Sequence, residues 1–251
     1  DNTQFAKGAF LAAAVALPEE VLQKEDGGYV LMATLGGDVK RARVADLPGA
    51  TDQPFTLMRV DDGDSLGWAR WTTGTYEVIL ATANGQLIRF SEGDVRPSGL
   101  KAGGVAGMKL KDEADGVIGM DVISAEEARN EKNIALVWSI TDNGLAKATP
   151  LSEYPKQKRH GYGVVNLKLP KESSEVVAVI LGDKRTEIYV KSKRNTCKRL
   201  RLGKAIEGSR TKKPQAITGL NIGNNNRVVG VVKASKIDIE QLQQAHQLTL
   251  I

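Results

Sequence analysis

Cations recur at matched places along this chain. Lys40, Arg41 and Arg43 lie in DVKRAR, Arg89 in QLIRFS, Lys147 in LAKAT, and Lys198, Arg199 and Arg201 in CKRLR. Each run directly follows a turn of Gly, Asn or Asp character. The connections that come next add Arg96 and Lys101, then Lys156, Lys158 and Arg159, then Lys204, Arg210, Lys212 and Lys213. Lysine and arginine without a nearby acid–base partner make and break no bonds. Repeated at intervals, they meet a polyanion whose charges are themselves regularly spaced, and phosphate is the group they suit. Gly103, Gly104, Gly161 and Gly163 would let backbone N–H groups approach such a phosphate closely.

Other chemistries find little support. The two histidines, His160 and His246, stand apart from other ligand types, so neither a hydrolytic metal centre nor a Ser/His/Asp triad has its parts. Cys197 is the only cysteine, which excludes an internal disulfide and fits a reducing cytoplasm. Asp61-Asp62-Gly63-Asp64 and the acidic run from Asp112 to Asp115 lack the ligand spacing of a calcium loop and read as hairpin turns. Catalytic residues, metal and cofactor are therefore all expected to be none.

The elements that must carry these cations are short strands. VILATANGQLIRF, from Val78, is an apolar run, an Asn-Gly pair that tolerates positive φ, and a second alternating run: a hairpin. The pattern returns as ATLGGDVKRARVADLP from Ala33, ATANGQLIRFSEGDVRP from Ala81, ITDNGLAKATPLSEYP from Ile140 and, more loosely, VKSKRNTCKRLRLGK from Val190. The starts are 48, 59 and 50 residues apart, the long interval absorbing the charged insert Ser124 to Asn133. A second strand–turn–strand half follows each, from Phe55, Gly103, Gly161 and Gln215. A related half-unit, KGAFLAAAVALPEEVL from Lys7, precedes the first.

Four strands per unit at about 40–50 residues predict an all-β, propeller-like array of four or five blades. The expected organisation is a single domain: a half-unit at 1–26, repeats at about 27–74, 75–133, 134–183 and 184–233, and a tail at 234–251. Trp68, Trp71 and Trp138 fall in strand patterns and are expected in core or blade-interface packing. Two short helical candidates remain, Ala125 to Lys132 and Ile237 to Gln247.

Charge is distributed unevenly. Of the net charge of +5, residues 1–133 contribute −7, residues 134–213 contribute +11 and residues 214–251 contribute +1. Such asymmetry points to one basic region able to meet a polyanion. No apolar stretch approaches the eighteen residues or so of a membrane span, and Ala9 to Leu17 lacks the basic flank of a signal peptide.

YVLMATLGGDVKRARVADL, VILATANGQLIRFSEGDVRPSGLKAGGVAGMKL and TDNGLAKATPLSEYPKQKRHGYGVVNLKL closely resemble blades of the gyrase-type C-terminal domain, found in DNA gyrase A and its topoisomerase IV relative. The shared signature is a TxxG hairpin carrying Lys or Arg, followed by a glycine-rich strand ending in Lys-Leu. It repeats in order from about Lys7 to Lys233. The resemblance implies a β-pinwheel whose basic rim binds and bends duplex DNA. It implies no active site on this chain, since cleavage and ATP chemistry lie elsewhere in the family's holoenzyme. The implied partners are double-stranded DNA, the cleavage domain of the same polypeptide and the separate ATPase chain, with a cytoplasmic, nucleoid-associated location. The family's hallmark heptapeptide, Gln-Arg-Arg-Gly-Gly-Lys-Gly, is absent. Its nearest counterpart is QKRHGYG, which keeps Gln157, Lys158 as a conservative exchange, Arg159, Gly161 and Gly163, in an interior repeat.

Two other functions fit the same residues: a stand-alone pinwheel that bends DNA as an architectural protein, and a propeller that binds protein or acidic ligands. For a DNA-wrapping rim, phosphate contacts position and bend, so little base preference is expected. The strongest contacts are expected in the two later repeats, at 156–159 and 198–213.

Overall fold

The computed structural model describes residues 11–17, 19–49, 51, 53–130, 135–223 and 225–234. They form four small antiparallel-centred sheets arranged as the blades of a propeller. Each sheet has an inner, a middle and an edge strand in the same order. In the first these are Leu66–Thr72, Tyr29–Thr34 and Asp38–Arg43, and in the second Val117–Ser124, Tyr76–Thr82 and Gln86–Ser91. In the third they are Val176–Gly182, Leu136–Thr141 and Leu145–Pro150, and in the fourth Val228–Lys233, Glu187–Ser192 and Cys197–Arg201. Register repeats too, Leu31, Ile79, Trp138 and Tyr189 of the middle strands facing Arg41, Arg89, Ala148 and Arg199 of the edges.

The TxxG signature has a local cause. Thr34, Thr82 and Thr141 end their middle strands buried, and each hydroxyl accepts the amide four residues on: Asp38 at 3.1 Å, Gln86 at 3.3 Å and Leu145 at 3.1 Å. The glycine three residues after the threonine takes positive φ, 94° at Gly37, 79° at Gly85 and 83° at Gly144, and Asn195 does so at 64° in the fourth sheet. Acidic turns then clasp these hairpins from the side. Asp64 Oδ1 accepts the Gly36 amide at 2.8 Å, and Asp115 Oδ1 accepts the Asn84 amide at 3.0 Å. Thr82→Val keeps shape but removes the acceptor, leaving the Gln86 amide unmatched. It should cost about 1 kcal/mol in urea unfolding, with faster hydrogen exchange at Gln86.

The fourth strand of a blade is where the observed architecture departs from the sequence expectation. Only the later strand of each second half-unit joins the sheet of its own repeat, as the inner strand. A short outer strand is donated backwards. Val105–Ala106 pairs with the edge of the first sheet, and Lys156–Gln157 with Val164–Val165 covers the edge of the second. Ile206–Glu207 and Gln215–Ala216 do the same for the third. Among the described residues the edge strand Cys197–Arg201 has no such cover and is largely exposed.

Blades pack face to face through apolar clusters. Leu31, Leu80 and Phe90 join the first sheet to the second, Ile79, Val137 and Val179 the second to the third, and Trp138, Ile180 and Ile188 the third to the fourth. Trp138 is buried there, while Trp68 and Trp71 pack half-buried against the first-sheet clusters. The inner strands lie side by side. At their centre Asp121 of the second sheet meets all the others: Arg70 Nε of the first at 3.6 Å, the Leu181 amide of the third at 3.0 Å, and Lys233 Nζ of the fourth at 3.9 Å.

The described part of residues 1–26 contains no strand, and the first part of the half-unit expected there lies outside the described residues. Residues 11–17 are irregular and Glu19–Leu22 is a single helical turn, where Glu19 and Glu20 follow Pro18, a helix-start composition. Ala13, Val15, Leu17 and Val21 nevertheless pack on the first sheet's core. Of Ala125 to Lys132, only Glu127–Arg129 forms a 3-10 turn among the described residues, and Ile237 to Gln247 lies outside them.

Candidate nucleic-acid interface

A 3-10 turn ends each edge strand, at Val44–Asp46, Glu92–Asp94, Leu151–Glu153 and Leu202–Lys204. The chain beyond the second, third and fourth runs to donated outer strands. The expected cations are distributed over these turns and connections, and the structure sorts them into two kinds.

One kind is structural. Lys40 is 1% exposed, and its ammonium donates to the carbonyls of Leu57, Gly99, Leu100 and Ala102 at 2.7–2.9 Å. Lys147 is fully buried, with Nζ donating to the Arg210 carbonyl and lying 3.5 Å from that of Ser209. Burial pulls both ammonium pKa values down. That of Lys147 falls to about 8, pushed further by the Arg210 charge and opposed by Glu153.

Arg41 and Arg89 occupy one register position and tie each edge to the next blade. Arg41 stacks 4.3 Å over the Tyr29 ring and lies 3.7 Å from buried Glu92 of the following 3-10 turn. Arg89 pairs with Glu77 at 2.5 Å and donates to the Leu151 and Tyr154 carbonyls at 3.0 Å. Arg159 and Arg210 form a second matched pair. Arg159 donates to the Ala106 carbonyl at 2.7 Å and Arg210 to the Val165 carbonyl at 3.1 Å, each reaching the outer strand of the preceding sheet.

Of six residues expected to contact DNA, Lys40, Arg41 and Lys147 are buried, and Arg89, Arg159 and Arg210 are half-buried with their guanidinium groups on backbone carbonyls. An edge strand here is covered by a donated strand and packed by the next blade. A cation placed on it must therefore find carbonyls or a carboxylate inside the protein.

The other kind is exposed. Arg43, Arg96, Lys101, Lys204 and Lys213 have no side-chain polar partner among the described residues. Lys156, Lys158 and the Arg199–Arg201 pair are exposed but matched, to Glu77 at 3.4 Å, Asp94 at 2.9 Å and Glu187 respectively. Lys198 and Lys212 are exposed and donate to backbone carbonyls, of Gly219 at 2.9 Å and Glu207 at 3.0 Å, which leaves their charge uncancelled.

The stretch from Gln157 to Gly163 is a lateral clasp between blades. His160, at φ 67°, donates its amide to the Gly107 carbonyl at 2.6 Å, and the Gly161 carbonyl accepts the Lys109 amide at 2.9 Å. Gly163, at φ 69°, lies so near the Leu87 carbonyl that a Cβ would meet it at 2.3 Å. Glycine is required there by that close approach. Of the other glycines expected to approach phosphate, a Cβ on Gly104 would meet Met58 and Asp38, whereas Gly103 has nothing nearer than 3.5 Å.

Two further exposed cations escape the sequence reading. Lys109 and Lys168 follow the donated strands at the same place, in MKL and LKL. The repeated Lys-Leu pair is the signal that marks them. Lys109 sits 5.8 Å from the exposed ring of Tyr162. Among the described residues there is no group of acidic, His and Cys side chains able to hold a metal ion. Nor is any helix among them long and apolar enough to cross a membrane.

Comparison with known proteins gives a consistent set of relatives. The model of the DNA gyrase C-terminal domain, beta-propeller, matches residues 76–124 and 139–182. The chain is 30% identical over 224 residues to the gyrase A protein of Salmonella typhimurium, covering 88% of this chain and 24% of that protein. It is 28% identical over 247 residues to its Pseudomonas aeruginosa counterpart, covering 94% and 26%. It thus spans about a quarter of the length of these curated relatives. Among solved structures, the C-terminal domain of DNA topoisomerase IV superposes with a TM-score of 0.75 at 24% identity, over 88% of this chain and 67% of that one. The DNA gyrase A C-terminal domain gives 0.67 at 25% identity, over 82% and 65%.

Proposed function

We propose that this chain, which belongs to the family of DNA gyrase A C-terminal propeller domains, binds and wraps duplex DNA without sequence preference. In this reading it is the non-catalytic C-terminal part of a type II topoisomerase of the gyrase A kind, and it presents a DNA segment for strand passage. The observation that carries the proposal is the second kind of cation. Arg43 ends an edge strand, and Arg96, Lys101, Lys204 and Lys213 lie between an edge strand and the last outer strand donated after it, all exposed and without carboxylate partners. Blade repetition sets such charges in a series, which is what a bent polyanion requires, and no described element is shaped to enter a groove. The partners in this reading are the cleavage domain of the same polypeptide and the separate ATPase chain, in a cytoplasmic setting on the nucleoid.

Topology tests it. Nicked circular DNA sealed by ligase in the presence of saturating protein should carry a linking-number change that grows with the protein-to-DNA ratio and vanishes in high salt. Salt-sensitive retention without any linking change would leave binding and sink wrapping.

A further inference from the structure

We propose that Lys40 and Lys147 are positioning residues for the DNA-facing rim: their buried ammonium groups hold two exposed basic connections in place without touching DNA. The inference rests on the DNA reading above and extends it to residues that no phosphate reaches.

The two sites repeat one geometry. Lys40 and Lys147 each stand four residues before their 3-10 turns, at Val44 and Leu151. Each connection first pins itself to the edge strand, Ser98 donating to the Arg41 carbonyl at 3.0 Å and Gly208 to that of Ala148 at 2.9 Å. It then turns its next carbonyls inward onto the lysine, Gly99 and Leu100 in one case, Ser209 and Arg210 in the other. Finally it rejoins the same edge as the outer strand, at Val105 and Gln215. Carbonyls turned into a covered site need donors, and a buried ammonium supplies three at once. The segment held in this way carries Lys101 in the first sheet and Lys212 and Lys213 in the third.

The second sheet shows the connection without the lysine. Ile88 takes the lysine's place there, and the connection is held by the Arg159 guanidinium, which donates to the Asp94 carbonyl at 2.9 Å and the Ala106 carbonyl at 2.7 Å. Arg210 of the third sheet reaches the Val165 carbonyl in the same way beside Lys147, so the arginine clamp is common to both sheets and the buried ammonium is added to it in the third. The recurrent requirement is therefore a held connection.

The test uses the whole chain with Lys147→Met, which removes the ammonium, and Lys147→Gln, which keeps a donor should the first variant fail to fold. Lys40→Met repeats the test at the second site. Amides 208–216 should exchange at least about tenfold faster, while those of Asp38–Arg43 stay protected. Affinity for a mixed-sequence duplex should fall about tenfold. Lys212→Gln with Lys213→Gln should weaken wild type clearly and the Lys147 variant much less, because cations on a loosened connection have already lost their place.

Unchanged exchange would overturn the latch. A loosened connection with undiminished affinity, or an undiminished effect of the Lys212 and Lys213 substitutions, would overturn the positioning role and leave DNA binding standing. Failure of the wild-type chain to bind duplex at low salt would instead sink the DNA reading itself.

Discussion

Glutamine at Arg43, Arg96, Lys101, Lys204 and Lys213 together should reduce duplex affinity about a thousandfold at low salt and leave the fold intact. Each phosphate contact on duplex DNA displaces condensed counterions and adds about 0.9 to the slope of log K against log salt. Five lost contacts would flatten that slope by about 4.5, across unrelated sequences alike. The five side chains are exposed and have no polar partner among the described residues, so removing them breaks no internal bond. Surface changes of this kind shift stability by about half a kcal/mol or less each. A control of equal charge comes from Lys184, Arg185, Arg199, Arg201 and Arg227, which lie within ion-pair distance of Glu207, Asp183, Glu187, Glu187 and Asp142. Their neutralisation should affect the slope less, because four carboxylates already compensate most of the charge of these five cations, Arg199 and Arg201 sharing Glu187. Equal slopes for the two sets, measured by filter retention at several salt concentrations, would make net charge rather than the placement of these residues the source of binding.

How far the sequence predicts this is best seen by comparing residues. The hairpins are legible because their cause is local: a threonine, two turn residues and an alternating strand lie within ten positions, and the positive φ expected of the Asn84-Gly85 pair falls on Gly85. The donated outer strands are not. A two-residue pairing such as Val105–Ala106 has no periodicity, and its partner Asp38–Val39 is more than sixty residues away. That omission also explains the misplaced cations. Lysine in an alternating strand reads as a solvent-facing residue, which is sound for an open edge and fails for one covered on its hydrogen-bonding side. Such a reading puts Lys40 and Lys147 on the rim, and Arg159 and Arg210 join them because a basic run gives no hint that one member turns inward. Of the residues named from the sequence, the unpartnered ones fall as much in the acidic part of the chain, at Arg43, Arg96 and Lys101, as in the basic part, at Lys204 and Lys213. Pairing with Glu187 and Asp94 removes much of the apparent excess in the later repeats.

Asp121→Ala should weaken the fold by about 1–3 kcal/mol in urea unfolding, chiefly through the buried Leu181 amide. The Asp121 side chain is about 10% exposed, and the residue stands where the inner strands of four sheets meet. Its carboxylate accepts the Val122 amide at 3.1 Å and the Leu181 amide at 3.0 Å, and it faces Arg70 and Lys233. Removing it leaves the Leu181 amide buried and unmatched, and it takes from Arg70 and Lys233 their shared carboxylate, though Lys233 keeps its bond to the Leu181 carbonyl at 2.8 Å. A buried amide left without an acceptor carries most of the cost, because the two partly exposed cations can turn to solvent. Asp121→Asn separates the two contributions: it keeps an acceptor for the amide and loses only the charge, so it should cost less than half as much. Because the bonds from Asp121 run between sheets, the loss should appear as weakened coupling between blades. Amides of Val176–Gly182 and Val228–Lys233 should exchange faster, while the hairpin at Asn84-Gly85, held within its own sheet, keeps its protection. A propeller without Asp121 would then keep its cations but not their common curvature. Retention on linear duplex should survive in Asp121→Asn, while any linking-number change imposed on closed circles should shrink.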